Sequence, residues 1–176
     1  MSDYNGFIIP ECFIDTRLTQ FLLQKRVNHQ HSCNNVVKVM CTKYKDDFAV
    51  GIIDDDKHGV SYLQEFYLEG QTKHLKFYTH NQKKHFIITV FPAMDGFIMD
   101  CAQEMRQPLA SFGLPANLKD FTHLTKDEGI LKDGRITKLL SVIQNHDEIV
   151  VLSKVLTYLM QSRYNATSEV IRTLVN

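Results

Sequence analysis

The sequence predicts an α/β fold in which a sheet is flanked by helices and followed by a helical C-terminal extension. Two observations carry this prediction. Apolar runs rich in β-branched and aromatic residues alternate with amphipathic stretches over roughly the first two thirds of the chain. The remaining third shows the apolar spacing of helices. We therefore expect an α/β domain at residues 1–107 and a helical extension at residues 108–176, packed together as one compact unit.

The strands are predicted from short apolar runs that end at turn-forming residues. The run at residues 48–53 is nearly all apolar, so we expect it to lie at the centre of the sheet with both faces covered. The other predicted strands are at residues 7–9, 27–31, 75–79 and 86–91. The last of these is a strong apolar run and stops at a proline.

The helices are predicted from apolar spacing and from capping residues. Asp15 or Thr16 can cap the first helix. Residues 34–44 are ambiguous, because their β-branched residues favour a strand whereas their apolar spacing favours a helix capped by Asn34 or Asn35. We prefer the helix, because a strand here would place a lysine on the same face as apolar residues. Further helices are expected at residues 62–67, 97–105, 136–143, 149–164 and 168–174.

The composition disfavours several classes of protein. The 176 residues include 20 Lys and Arg balanced by 20 Asp and Glu, and this zero net charge argues against a general nucleic-acid coating protein. The hydrophobic fraction of 44% is too high for intrinsic disorder, and no apolar run reaches the roughly 20 residues of a membrane span. The four cysteines form no CxxC pair and the polar N-terminus lacks a secretory signal, which together predict a cytoplasmic protein with reduced thiols.

The candidate functional residues are carboxylates at the predicted strand ends. Glu11 and Asp15 follow the first strand, and Asp54, Asp55 and Asp56 follow the central one. Because ligands of open α/β sheets bind at the carboxyl ends of the strands, these acids are expected to face one crevice. A hard divalent cation such as Mg²⁺ or Mn²⁺ would relieve their mutual repulsion. The alternatives are a solvated turn at the three aspartates and an N-cap at Asp15.

Two of these motifs resemble those of the Toprim family. Residues 11–15 (ECFID) resemble the family's Glu-Gly-x-x-Asp motif, and residues 54–59 (DDDKHG) resemble its Asp-x-Asp-x-x-Gly motif. Both follow an apolar strand, in the family's order, and the resemblance covers roughly residues 6–105. Toprim domains occur in DnaG-type primases, topoisomerases, recombination proteins and overcoming-lysogenisation-defect nucleases. The resemblance implies a Rossmann-like, mostly parallel sheet flanked by helices, and Mg²⁺-dependent chemistry on nucleic acid.

The resemblance also implies roles for the motif residues. Glu11 would be the general acid/base, Asp54 and Asp56 the metal ligands, and Asp15 a supporting acid near the metal. Lys57, beside the aspartates, would hold a phosphate oxygen as a further catalytic residue, with simple charge balance as the alternative. The resulting hypothesis is a nuclease-like phosphoryl transfer that depends on Mg²⁺ or Mn²⁺.

Other side chains near these motifs are also candidates. Asp95 and Asp100 follow the last predicted strand, where nuclease-like members of the family often carry another acid. His29, His31 and Cys33 alternate along the chain and have the residue types of a zinc site. No fourth zinc ligand is evident, so we interpret these three as a polar strand end near the proposed site.

A second hypothesis is a non-catalytic Toprim-like module that binds a nucleotide, nucleic acid or a protein partner. Cys12 replaces the glycine of the motif and Pro10 precedes Glu11, and both departures favour this alternative. The neutral net charge favours it as well, because it predicts weak unaided affinity for nucleic acid. If the protein is a nuclease, we expect a protein partner, a homodimer or a local basic rim to help it hold the substrate, and we expect no membrane partner.

Overall fold

The computed structural model describes residues 4–55 and 61–176. In this part of the chain the strands are β1 (Tyr4–Asn5), β2 (Ile8–Pro10), β3 (Arg26–Val27), β4 (Ala49–Asp54), β5 (Phe66–Gln71), β6 (Leu75–His80) and β7 (His85–Val90). The α-helices are α1 (Phe13–Leu23), α2 (Cys33–Thr42), α3 (Met94–Glu104), α4 (Leu118–Thr125), α5 (Gly134–Ile143), α6 (Asp147–Ser162) and α7 (Ser168–Val175). Short 3₁₀-helices lie at Ser61–Glu65, Leu109–Phe112, Glu128–Lys132 and Arg163–Asn165.

The main sheet of the described residues has five strands in the order β2-β4-β7-β6-β5. β2, β4 and β7 pair in parallel, whereas β6 pairs antiparallel with both β7 and β5. The sheet is therefore mixed, because β5, β6 and β7 follow one another without an intervening crossover helix and pair as hairpins. The α/β class is confirmed, and the expectation of a mostly parallel sheet is not.

Helices cover both faces of the sheet. α2 packs on one face, where Val36 and Met40 contact the buried side chains of Ile9, Ala49 and Ile53. The other face is covered by α1, α3, α5 and α6 through a continuous apolar core. This core contains residues from the α/β part and from the helical extension, among them Ile52, Phe77, Phe97, Leu139 and Leu156. The alternation of Ile8 and Ile9 between the two clusters follows from the two-residue period of a strand.

The strands predicted at residues 7–9, 48–53, 75–79 and 86–91 are confirmed to within one or two residues, and the run at residues 48–53 lies between two parallel neighbours as β4. The strand predicted at residues 27–31 is wrong beyond residue 27, because β3 covers only Arg26–Val27. The helix preferred for residues 34–44 is confirmed as α2, but its N-cap is Ser32, whose hydroxyl accepts a hydrogen bond from the backbone N–H of Asn35. The predicted helix at residues 62–67 is a 3₁₀-helix as far as Glu65 and is wrong at its last two residues. There the chain forms β5, which pairs with β6 by main-chain hydrogen bonds.

The N-cap predicted for the first helix is also wrong. Cys12 has the extended backbone of the N-cap, and Asp15 lies three residues into the helix. The Asp15 carboxylate accepts a hydrogen bond from the backbone N–H of Cys12 at 2.9 Å, which forms a capping box. Within the described residues, no helix has the length and apolar character needed to cross a membrane.

Candidate functional site

A cavity of about 460 Å³ lies beside the carboxyl ends of β2 and β4. Its lining comes from five stretches of the chain: the end of β2 with the start of α1, the segment after β3, the end of β4, the start of α3, and the end of α4. The lining residues are Glu11, Cys12, Phe13, His29, His31, Asp54, Ala93, Asp95, Thr122, Thr125 and Lys126. The size is within the range of small-molecule sites in proteins.

Glu11 and Asp54 are joined at one edge of this cavity. The parallel pairing of β2 with β4 extends to the backbone N–H of Glu11, which donates to the carbonyl of Ile52 at 3.0 Å. The Glu11 carboxylate then accepts a hydrogen bond from the backbone N–H of Asp54 at 3.2 Å through Oε2. Only 2% of Glu11 is exposed, so its carboxylate is held at the junction of the two strand ends.

The Asp54 carboxylate connects β4 to the start of α3. Its Oδ1 accepts a hydrogen bond from the backbone N–H of Met94 at 3.1 Å. The N-cap residue of α3, Ala93, has no side chain that can make this bond, so Asp54 satisfies one of the orphan N–H groups of the helix from a neighbouring strand. A carboxylate in this position is also favoured by the positive end of the helix dipole.

Asp15 lies behind the cavity and is not part of its lining. The residue is fully buried, its Oδ2 accepts from Cys12, and its Oδ1 has no hydrogen-bond partner. Burial raises the pKa of Asp15 well above its ordinary value, and the nearby charges of Asp54 and Glu11 raise it further. Asp15 is therefore a capping residue, and the neighbouring carboxylates at the cavity disfavour its charged form.

The Cys12 thiol lines the cavity but is not activated. Burial raises the pKa of this thiol above its ordinary value, and the Asp15 carboxylate raises it further. A reactive cysteine needs the opposite environment, one that stabilises the thiolate. Cys12 is instead the N-cap residue of α1.

His29 is fixed in one tautomer by Thr16. The Thr16 hydroxyl lies 2.7 Å from the carbonyl oxygen of Cys12 and 2.8 Å from Nδ1 of His29. A hydroxyl has a single proton, and a carbonyl oxygen only accepts, so the proton goes to Cys12 and Nδ1–H of His29 donates to Thr16. Burial lowers the pKa of His29, and the neighbouring His31 lowers it further. The ring is therefore neutral at pH 7, and its buried Nε2 has no partner in the protein.

The start of α3 and the end of α4 also line the cavity. The Thr125 hydroxyl donates to Oδ1 of Asp95 at 2.6 Å, which joins the first turn of α3 to the last turn of α4. Lys126 follows as an exposed residue, and Thr122 lies one turn earlier. This part of the lining therefore supplies hydroxyl groups, one cationic side chain and one further carboxylate.

The sequence-predicted site residues have different outcomes. Glu11 and Asp54 meet at the cavity, and Asp95 joins them from α3. Asp56 and Lys57 lie outside the described residues. Asp55 points away from Asp54, as strand alternation requires, and its carboxylate pairs with the Lys76 ammonium at 2.7 Å.

Two other candidates do not reach the cavity. Asp100 pairs with the His74 ring at 2.9 Å on the opposite end of α3. Cys33 is the first residue of α2 and is buried in the cluster on the other face of the sheet, while His29 and His31 line the cavity. The site also contains residues that the sequence did not indicate, namely Phe13, Thr122, Thr125 and Lys126. No local pattern marks them, because the fold brings them together from separate elements.

In residues 4–55 and 61–176, no group of three or more His, Cys, Asp or Glu side chains is arranged to hold a metal ion. Mg²⁺ does not need such a cage, since it is usually bound by one or two carboxylates together with water and substrate phosphates. Glu11 and Asp54 lie together at the cavity, and Oδ1 of the buried Asp15 behind them has no hydrogen-bond partner. No protein family, curated protein or solved structure compared with this chain matches it.

Proposed function

We propose that this protein catalyses Mg²⁺-dependent phosphoryl transfer on nucleic acid, as a nuclease-like enzyme with a Toprim-like site. The single observation that supports it most is the junction of Glu11 and Asp54. These residues end two adjacent parallel strands, share a 3.2 Å hydrogen bond and line the same cavity of about 460 Å³. In an open α/β sheet this is the edge at which ligands bind.

In this proposal Glu11 is the general acid/base and Asp54 is a metal ligand. Mg²⁺ or Mn²⁺, when bound, would neutralise charge on the phosphate and orient the attacking oxygen. The Asp54 N–H fixes one oxygen of Glu11, which orients the carboxylate that would accept or return the proton. The Met94 N–H likewise fixes Oδ1 of Asp54 and orients the carboxylate that would bind the metal. Asp56 as second ligand and Lys57 as phosphate contact remain predictions from the sequence.

The neutral charge of the chain bears on how a substrate would be held. With 20 basic and 20 acidic residues, the chain has no general excess of positive charge for a phosphate backbone. We therefore include in the proposal a homodimer or a protein partner that contributes to substrate binding. A sedimentation measurement with and without an oligonucleotide would detect a dimer directly.

The proposal is tested by cleavage and by metal binding. Single-stranded DNA, duplex DNA and RNA are each incubated with the purified protein and Mg²⁺ or Mn²⁺. We expect cleavage that is lost in Glu11→Gln and Asp54→Asn but kept in Asp46→Asn, which removes an exposed carboxylate on the loop before β4. Calorimetry should show metal binding that Asp54→Asn abolishes. Absence of binding at millimolar metal, or cleavage that survives Glu11→Gln, would refute the catalytic role.

A second candidate function is a non-catalytic module that binds a nucleotide, nucleic acid or protein partner. Cys12, the N-cap of α1 at the position where the resembled motif has glycine, supports it, as does the neutral net charge of the chain. This candidate predicts that wild type binds an oligonucleotide or nucleotide with unchanged affinity in EDTA and produces no cleavage with either metal.

A further inference from the structure

Three aromatic rings form one side of the cavity, and we call Phe13, His29 and His31 the ring wall. The Phe13 and His29 rings are stacked, with centroids 4.4 Å apart and planes inclined by 15°. The His31 ring stands edge-on to both, at 5.8 Å from Phe13 and 4.7 Å from His29. All three residues line the same cavity as Glu11 and Asp54.

The ring wall is held in place by hydrogen bonds on both sides of His29. The His29 ring donates to Thr16 of α1, and the backbone N–H of Gln30 donates to the carbonyl of Pro10 at 3.0 Å. The N–H of Asn28 donates to Ile8 at 2.9 Å, so the whole segment runs along the edge of β2. The rings are therefore positioned before any ligand binds, which reduces the ordering cost of binding.

The physical character of the ring wall differs from that of the rest of the cavity. The neutral His29 and Phe13 carry no charge, and because they stack on each other, each ring has only its outer face and its edge left for a ligand. Glu11 and Asp54 at the strand ends line the same cavity, as does Lys126 just after α4. One cavity thus combines an aromatic surface, a carboxylate pair suited to a metal, and a cationic side chain.

We propose that the ring wall receives an unstacked nucleobase adjacent to the phosphate that a metal ion at Glu11 and Asp54 would hold, so that the substrate is single-stranded nucleic acid. This inference rests on the proposed function for the identity of the ligand. Bases in a duplex are stacked on one another and do not offer a free face, whereas bases of a single strand stack readily on aromatic side chains. Such stacking tolerates every base, so we expect little sequence preference.

Base stacking on the ring wall would add affinity for nucleic acid, which the balanced net charge of the chain does not provide. A protein with balanced charges releases few counterions from a phosphate backbone and gains little from that source. Lys126 provides one phosphate contact, and the ring wall provides the remaining affinity through a term that depends weakly on salt. The proposal therefore predicts a shallow dependence of binding on salt concentration.

The test measures binding of a short fluorescein-labelled oligodeoxythymidine by anisotropy in EDTA, where no metal-dependent cleavage occurs. His31 is exposed, so His31→Ala is expected to leave the fold intact and to weaken single-strand binding roughly tenfold. The matched control is His123→Ala, an exposed histidine on α4 that does not line the cavity. Phe13→Leu is a second variant, which keeps apolar volume and removes the π-face, with its fold checked by thermal unfolding.

A lysine pair tests the cationic side chain that lines the cavity. Lys126→Gln should weaken binding and flatten its salt dependence, whereas Lys119→Gln, an exposed lysine on the same helical segment, should do neither. The duplex made from the same oligonucleotide should bind more weakly than the single strand. Equal affinity for both forms, no binding of the single strand by wild type, or equal affinities of His31→Ala and His123→Ala would overturn the inference.

The binding and cleavage assays distinguish failure of the proposed nuclease activity from failure of the proposed base-binding site. If wild type binds single strands through the ring wall but cleaves nothing, the proposed nuclease activity is refuted and the ligand class stands. If Glu11 and Asp54 are needed for cleavage but the ring variants bind and cleave like wild type, the inference is refuted and the nuclease activity stands.

Discussion

The backbone N–H of Asp54 donates a hydrogen bond to Oε2 of Glu11, two residues that lie 43 positions apart in the chain. The bond joins the ends of β2 and β4 just past their last paired residues. Because the Glu11 side chain both completes the backbone bonding of the neighbouring strand and lines the cavity, its structural and chemical roles can be separated by substitution.

Replacing Glu11 by Gln should preserve the junction, and replacing it by Ala should break it. The Gln amide oxygen can still accept the Asp54 N–H, so we expect the free energy of unfolding to change by less than about 1 kcal/mol. Ala leaves that half-buried N–H without its acceptor, at a cost of about 1–3 kcal/mol. Urea unfolding measures both values. Equal losses in the two variants would contradict the structural role assigned to the hydrogen bond.

His29 gives a prediction about tautomer and pH. Long-range ¹H–¹⁵N correlation spectra should show the proton on Nδ1, and the titration midpoint should lie below the ordinary value of 6.5, chiefly because the ring is buried. Between these two pH values the unfolded chain binds a proton that the folded chain does not. The contribution of His29 to stability is therefore lost as the pH falls below 6.5.

Thr16→Val provides the control for this titration. It removes the hydroxyl that accepts from Nδ1 while keeping a side chain of similar shape, so the preference for the Nδ1–H tautomer should weaken. A proton on Nε2 in wild type, or an unchanged tautomer in Thr16→Val, would show that the Thr16 hydroxyl does not set the tautomer, and a midpoint above 6.5 would show that burial does not lower the pKa of His29.

The fold was largely predictable where one local signal dominated. The run at residues 48–53 is apolar at nearly every position, and such a run is stable only as a strand covered on both faces, which is how β4 lies. α2 was predictable from its apolar spacing, but its cap was not, since Ser32 stands close to two asparagines that are equally good capping residues. β5 was missed because its pairing with β6 outweighs its local pattern.

The site was predictable in the half that depends on strand ends. Glu11 and Asp54 follow apolar runs that become neighbouring parallel strands, so their meeting follows from the rule for open α/β sheets. Asp15 was mistaken for an N-cap because the capping box begins at Cys12, a residue type rarely found there. The contact of Phe13 with His29 depends on the segment after β3 packing against the start of α1, and no local sequence pattern predicts that packing.

A buried carboxylate on β5 gives a prediction about acid stability. Glu69 accepts hydrogen bonds from Thr79 and from Arg172, the latter at 2.7 Å, which fastens α7 to the sheet. Burial by itself would raise the pKa of Glu69, but the hydrogen bonds from Thr79, Ser168 and Arg172 outweigh it, so the pKa is lowered. This contribution to stability is present above the ordinary value of 4.5 and is lost as the pH falls through the lower folded value.

Glu69→Gln should therefore destabilise the protein at pH 7 by about 2 kcal/mol, and the difference from wild type should shrink as acid neutralises Glu69 in the wild type. Denaturant unfolding at a series of pH values measures the difference. Glu169→Gln, an exposed acid on α7, is the control and should match wild type throughout. A deficit that persists undiminished at acid pH would show that the charge of Glu69 is not what stabilises the contact.

Gly51 tests how closely α2 packs on the sheet, and Gly134 on α5 provides the comparison. A Cβ added to Gly51 would lie 2.9 Å from the Met40 sulfur and 3.0 Å from Cγ1 of Val36, both on α2. The stiff, β-branched Val36 cannot move aside without displacing the helix, so we expect Gly51→Ala to destabilise the protein by about 1–3 kcal/mol.

At Gly134, in the first turn of α5, an added Cβ meets nothing within 4 Å. Gly134→Ala should therefore be neutral or stabilise the protein by up to about 1 kcal/mol, because it restricts the unfolded chain. Thermal and urea unfolding of both variants would check the contrast, and a Gly51→Ala protein as stable as Gly134→Ala would mean that α2 lies farther from β4 than described.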